Sequence, residues 1–76
     1  MTELEWLNIF SDNLKSALEY ANMTQRELAD ASGVSESSIC KYLRKQQIPS
    51  LKAIINIAYA LDISTDELIN FDEPIE

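Results

Sequence analysis

Residues 24–45 read TQRELADASGVSESSICKYLRK, and this stretch decides the fold. Thr24 and Glu27 form a capping-box pattern, in which each side chain accepts a hydrogen bond from the other residue's amide at a helix start. Ser35 is typical of the cap of a second helix. Only two residues separate the two helices, and one is Gly33, which reaches a left-handed conformation at little cost. So short a link does not allow antiparallel helices and predicts a helix-turn-helix.

The segment before this motif predicts a long first helix, from Glu5 to Ala21. Its apolar residues recur at intervals of three and four, which marks one face of a helix. These residues are Trp6, Phe10, Leu14, Ala17, Leu18 and Ala21. Leu7 and Ile9 lie off this stripe, so we predict that they belong to a second contact surface.

Two more helices are predicted after the motif. A fourth helix follows a Pro-Ser stop and runs from Leu51 to Leu61. Its predicted core residues are Leu51, Ile54, Ile55, Ala58 and Leu61. Residues 64–67 read STDE, a second capping box, and predict a fifth helix. The fold class is therefore an all-α five-helix bundle, with helices two and three as the tight pair, in one domain over residues 1–76.

The composition excludes most catalytic chemistry. The chain contains no His, one Cys and one Gly, so it lacks the residues of a Cys/His or Ser/His pair, a zinc site or a glycine-rich phosphate loop. No apolar run approaches the roughly 18 residues of a membrane span. We predict a cytoplasmic, non-enzymatic binding module with no metal, cofactor or small-molecule substrate.

The net charge of −7 is unevenly distributed. Residues 1–23 carry four acids and one base, residues 24–52 carry three acids and five bases, and residues 53–76 carry six acids and no base. The net charges are −3, +2 and −6. The local field guides association as much as the total charge does, so the middle third is the part suited to an anionic partner.

Residues 23–68 strongly resemble the lambda-repressor-like helix-turn-helix domains of the Cro/CI or XRE type. The likeness extends over residues 10–69, with residues 1–9 as an extension of the first helix and residues 72–76 as an acidic tail. Four motifs occur in the family's order and spacing, namely TQRELA, GVSESSI, PSL and IAYALDIS. The resemblance implies a five-helix lambda-repressor-like domain, usually dimeric, that places helix three in the major groove of operator DNA.

The resemblance also implies roles for individual residues. The positions that face base edges are Glu36, Ser37 and Lys41. The positions that contact the phosphate backbone are Thr24, Gln25, Ser38, Arg44, Lys45 and Gln46. Glutamate can accept a hydrogen bond from cytosine N4 and lysine can donate to guanine O6 and N7, so the first set is suited to reading sequence.

Two features depart from the family. Lys45 stands where the family usually has glycine after the recognition helix. A left-handed non-glycine residue costs about 1 kcal/mol, so we expect the loop to take another route here. The extended first helix predicts a dimer contact, for which the candidates are Leu7, Ile9, Ile69 and Phe71.

These observations favour a sequence-specific, DNA-binding transcriptional regulator of the repressor type, acting as a homodimer on a palindromic operator in double-stranded DNA. The alternative is a protein-interaction module of the antitoxin or anti-repressor type on the same scaffold. The acidic ends, the extended first helix and Glu36 favour the alternative. Affinity for DNA that falls as salt rises discriminates between the two, because phosphate contacts release counterions.

Overall fold

The computed structural model describes residues 2–69. In this range the chain forms five α-helices and no strand: α1 (Glu3–Ala21), α2 (Gln25–Ser32), α3 (Glu36–Leu43), α4 (Leu51–Leu61) and α5 (Asp66–Ile69). The predicted all-α, five-helix fold is confirmed. The predicted dimer contact at Phe71 and the acidic tail lie outside the described residues.

Helix α1 begins two residues earlier than predicted. Thr2 Oγ1 accepts from the amide of Glu5 at 3.1 Å, and Glu5 Oε1 accepts from the amide of Thr2 at 2.7 Å. The hydrogen bond from the Thr2 amide, followed by that from its side chain, holds the pKa of Glu5 below its ordinary value. A carboxyl with a lowered pKa stabilises the fold only while ionised, so this cap weakens as the pH falls through that pKa.

The predicted caps of α2 and α3 are confirmed. The hydroxyl of Thr24 accepts from the amide of Glu27 at 3.1 Å, and that of Ser35 accepts from the amide of Ser38 at the same distance. Ser64 forms half of its predicted capping box, since its amide donates to Glu67 at 3.1 Å. Each full cap satisfies amides that the helix itself leaves without a partner.

Helix α1 packs against α3, α4 and α5, while α2 packs against α3 and α4, and the core lies between these helices. Leu7 is only 5% exposed and belongs to this core. It therefore has almost no surface left for a second molecule, which argues against its predicted role in a dimer contact. Leu7 lies three residues before Phe10 and seven before Leu14, so a regular helix places it on the same face as these two buried residues. The side chains buried most completely are Phe10, Leu14, Leu28, Ile39, Ile57 and Leu68.

The buried face of α4 differs from the predicted one. Leu51 and Ile55 are exposed, whereas Ala53 and Ile57 are buried in their place. Apolar residues occupy most positions of this helix, so their spacing alone does not show which side of the helix faces the core. The buried face of α4 is the one that packs against α1 and α2, and it includes the small Ala53.

Two polar side chains of α1 fasten the ends of other helices. Buried Ser11 donates from Oγ to the carbonyl of Leu43 at the end of α3, at 3.0 Å. Two residues later, Asn13 Nδ2 donates to the carbonyl of Leu68 in α5 at 2.8 Å. Helix α1 therefore positions α3 through a directed bond as well as through apolar packing.

Replacing Ser11 by alanine tests this bond. Ser11→Ala leaves the Leu43 carbonyl without its donor and is expected to lower the free energy of unfolding by about 1–2 kcal/mol. Urea unfolding followed by circular dichroism measures the change. Ser16→Ala, at an exposed position of the same helix, is the control and is expected to stay within about 0.5 kcal/mol of the parent protein. Equal stability of the two variants contradicts the prediction.

Candidate nucleic-acid interface

The turn between α2 and α3 depends on the backbone of Gly33. Its φ is +78°, and its amide donates to the carbonyl of Ala29 at 2.9 Å. A β-carbon at Gly33 would meet no heavy atom within 4 Å, so the turn selects glycine for its backbone conformation and not for lack of space. The amide of Val34 then donates to Ser32 Oγ at 3.1 Å, which tightens the exit from α2.

Helix α3 rests on two buried side chains, Ile39 and Tyr42. The ring of Tyr42 meets that of Phe10 edge-on, with centroids 6.0 Å apart and planes at 78°. Phe10 stacks in turn on Trp6 at 5.5 Å. This aromatic row joins α3 to α1 and determines which side of α3 faces outward.

The outward side of α3 carries the residues predicted to read bases. Glu36, Ser37 and Lys41 are all exposed, and so is Arg44 at the end of the helix. Their positions on a 3.6-residue helix place them opposite the buried pair, with half-buried Cys40 between them. We call these four exposed residues the reading face. It carries two cations and one carboxylate.

Ser38 lies at the edge of the reading face. It is half-buried, and its hydroxyl accepts from Ser35 Oγ at 2.9 Å. Its own hydroxyl proton remains available for donation to an acceptor outside the helix.

The start of α2 presents the second set of predicted residues. The Thr24 amide already donates to Glu27 Oε1 at 2.8 Å, so the hydroxyl of Thr24 is its better donor to an outside group. Gln25 is exposed and shares a surface cleft with Thr24 and with Leu43 of α3. The amides of the first helical residues have no partner four residues earlier within the helix. Because Thr24, Gln25 and Leu43 line one cleft, the free amides at the beginning of α2 lie beside the end of α3.

Arg26 is a candidate that the sequence-based assignment omitted. It is exposed in the first turn of α2, directly after Gln25. The signal was present, because Arg26 is one of the five bases in the basic middle third.

The loop after α3 adopts the left-handed turn that we did not expect with lysine in place of glycine at position 45. The amide of Gln46 donates to the carbonyl of Lys41 at 2.8 Å, and that of Lys45 donates to the carbonyl of Tyr42 at 3.1 Å, which together form a Schellman motif. Lys45 has a left-handed φ of 62°. The expectation of another route is wrong, because the hydrogen bonds of the motif offset the backbone strain.

Lysine is an unusual choice at this position. Helices α1 and α4 end in the same conformation at Asn22 and Asp62, whose short polar side chains tolerate it better. The Lys45 ammonium lies 3.5 Å from Asp12 Oδ1, and both side chains are substantially exposed. Such a pair contributes about 0–1 kcal/mol, so at most it offsets the strain at Lys45.

The remaining dimer candidates are less accessible than predicted. Ile9 is half-buried, and Ile69 is half-buried and packs against the core. Neither forms a prominent apolar surface by itself.

Within residues 2–69, no three Cys, Asp or Glu side chains are grouped so that they could hold a metal ion. None of the helices in this range is long and apolar enough to cross a membrane.

The helix-turn-helix family model matches residues 14–68, which include the whole of this interface. The chain belongs to that family. Membership confirms the sequence resemblance to Cro/CI or XRE-type domains. This helix-turn-helix chain shares 34% identity over 61 residues with an uncharacterized HTH-type transcriptional regulator, YqaE of Bacillus subtilis, covering 80% of the chain and 53% of the relative.

A second relative of this helix-turn-helix chain is the cryptic phage CTXphi transcriptional repressor RstR of Vibrio cholerae. The two are 37% identical over 57 residues, which covers 75% of the chain and 51% of the relative. The chain thus spans about half the length of the two curated relatives described here.

Two solved structures share the helix-turn-helix fold. The crystal structure of the restriction-modification controller protein C.AhdI from Aeromonas hydrophila superimposes with a TM-score of 0.78 at 34% identity, over 82% of this chain and 94% of that one. The solution structure of the SOS-response transcriptional repressor LexA from Eubacterium rectale gives a TM-score of 0.79 at 30% identity. The match covers 100% of this chain and 87% of that one.

Replacing Lys45 by glycine tests its strained backbone. Lys45→Gly is expected to raise the free energy of unfolding by about 1 kcal/mol, because glycine adopts the left-handed conformation without strain. Chemical unfolding measures the gain. Asn22→Gly, at the matching position of α1, is the control and is expected to change stability by less than half as much. An Asp12→Asn variant measures the ion pair separately. No gain from Lys45→Gly contradicts the prediction.

Proposed function

We propose that the chain is a DNA-binding transcriptional regulator of the repressor type, which acts as a homodimer and inserts α3 into the major groove of a palindromic operator. The observation that carries this proposal is the reading face, exposed on a helix whose other side is buried. The names of the curated relatives, a transcriptional regulator and a repressor, support this class of function and not an enzyme. Action on DNA agrees with the predicted cytoplasmic location.

The reading face has the chemistry for distinguishing bases. The Glu36 carboxylate accepts hydrogen bonds only, so it favours the amino group of cytosine and is repelled by phosphates. Lys41 donates to guanine, and the Ser37 hydroxyl can both donate and accept. One acceptor beside donors discriminates between sequences better than a wholly cationic surface does.

The start of α2 supports a phosphate contact. The unpaired amides of Gln25 and Arg26 lie at the positive end of the helix dipole, where anions bind favourably. The Gln25 side chain and the Thr24 hydroxyl add neutral donors, and Arg26 adds a charge. Ser38 offers a further hydroxyl from the first turn of α3.

The end of α3 supports a second phosphate contact, through Arg44, Lys45 and Gln46. Strained residues that persist in a protein often serve its function. Asn or Asp at position 45 would relieve the strain, as they do at the ends of α1 and α4, but would remove the positive charge. A role for the charge of Lys45 in DNA binding accounts for the choice of lysine.

Replacing Glu36 by glutamine tests the reading of bases. Glu36→Gln is expected to change preference at one base pair in each half-site, with about 1–3 kcal/mol less discrimination in favour of cytosine. Selection from randomised duplexes, followed by fluorescence anisotropy on the selected sites, measures this preference. Glu3→Gln removes an equal charge from the exposed start of α1 and is the control. An unchanged preference in Glu36→Gln eliminates this role.

Replacing Arg44 by alanine tests the backbone contact. Arg44→Ala is expected to weaken binding to all sequences about equally and to reduce the salt slope by about 1 per subunit. Lys41→Ala is the comparison, because loss of a base contact relaxes specificity at one position. Anisotropy titrations between low and moderate salt measure both effects. Absence of binding at low salt, or affinity that does not change with salt, supports the protein-interaction alternative instead.

A further inference from the structure

The outer face of α4 carries three exposed apolar side chains. Leu51 is 72% exposed, Ile55 is 49% exposed and Tyr59 is 89% exposed. Spaced four residues apart, they form one stripe along the helix, about 12 Å long at 1.5 Å per residue. We call these three residues the α4 stripe.

The α4 stripe plays no part in the core. The opposite side of α4 buries the residues that hold the helix to α1 and α2. Single exposed apolar residues are common on protein surfaces, but aligned large ones mark a contact surface. Tyr20, which is 94% exposed on α1, is a single residue of the first kind.

We propose that a second copy of this chain covers the α4 stripe, with the two α4 helices packed antiparallel about a two-fold axis near Ile55. The proposal rests on the homodimer of the proposed function and specifies its interface. In this arrangement the two Ile55 side chains meet at the axis. Leu51 of each copy then packs against the partner's Tyr59, so both ends of the stripe are covered by the same pairing.

The charges on and beside α4 favour this arrangement. Lys52 is the only charged residue within Leu51–Leu61, and Asp62 follows directly at the other end. Antiparallel packing turns the Lys52 end of one helix toward the Asp62 end of the other. The described part of α5 carries two exposed carboxylates and no base, so a symmetric contact between two copies of it would bring like charges together; they are Asp66 and Glu67. On α1 the exposed carboxylates outnumber the single base Lys15 by four to one.

The arrangement is compatible with DNA binding. The α4 stripe and the reading face are exposed at the same time in one chain, on separate helices that each pack against α1 and α2. A closed two-fold dimer also has the symmetry that a palindromic site requires. A stripe of three side chains makes a small interface, so the dimer is expected to be weak without DNA.

Sedimentation velocity over a concentration series, without DNA, tests the proposal. The parent chain is expected to show a monomer–dimer equilibrium. Ile55→Glu places two carboxylates together at the axis and is expected to raise the dimer dissociation constant roughly tenfold or more. Circular dichroism checks that the variant keeps its helices. If Ile55→Glu unfolds, Tyr59→Ser, at the almost fully exposed end of the stripe, tests in its place whether the dimer forms through the α4 stripe.

Tyr20→Ser is the matched control, since it removes an equally exposed tyrosine from another helix. Dissociation of Ile55→Glu or Tyr59→Ser, with Tyr20→Ser still dimeric, supports the α4 interface. A parent chain that stays monomeric, stripe variants that stay dimeric, or a Tyr20→Ser variant that dissociates equally overturns it. Anisotropy with a single half-site tests the reading face separately, so failure to bind DNA leaves the sedimentation result standing.

Discussion

The burial of Tyr42 against Phe10 of α1, together with the burial of Ile39, is the constraint on which the candidate interface depends. Helix α3 has only eight residues, and so short a helix is unstable by itself in water. Two buried side chains, the bond from Ser11 and the turn at Gly33 together determine its orientation. Without them the reading face would have no defined direction. The longest helix therefore serves the shorter α3 as a rigid support.

Capping of the helix ends is a second source of stability in so small a domain. Thr2 and Thr24 form full capping boxes, and helices α1 to α4 each end in a left-handed residue that allows their last carbonyls to be paired. A cap contributes about 1 kcal/mol, which is a sizeable fraction of the stability expected for a chain of this length. Only at Lys45 does the residue type conflict with the backbone. That conflict lies within the candidate interface, where a charge has a use.

Local signals allowed most of the fold to be predicted from the sequence. The caps at Thr24 and Ser35 and the turn at Gly33 depend on residues within a few positions of each other, so the sequence contains what decides them. The orientation of α4 depends on packing between distant segments, whereas the burial of Leu7 agrees with its helical spacing from Phe10 and Leu14. Ala53 lies on the face of α4 that packs against its neighbours, which spacing alone does not show. The roles of Glu36 and Lys41 in contacting bases stay predictions, although their exposure together on α3 agrees with them.

The side chains of the reading face have little part in holding the fold together. Within the described part of the chain, Glu36, Ser37, Lys41 and Arg44 are exposed, and their side chains make no ion pair or hydrogen bond. Substitutions there can therefore accumulate during evolution without compensating changes in the core. A lineage built on this scaffold can acquire new target sites through a few surface changes. For the same reason, the scaffold is a suitable host for grafting the specificity of another regulator.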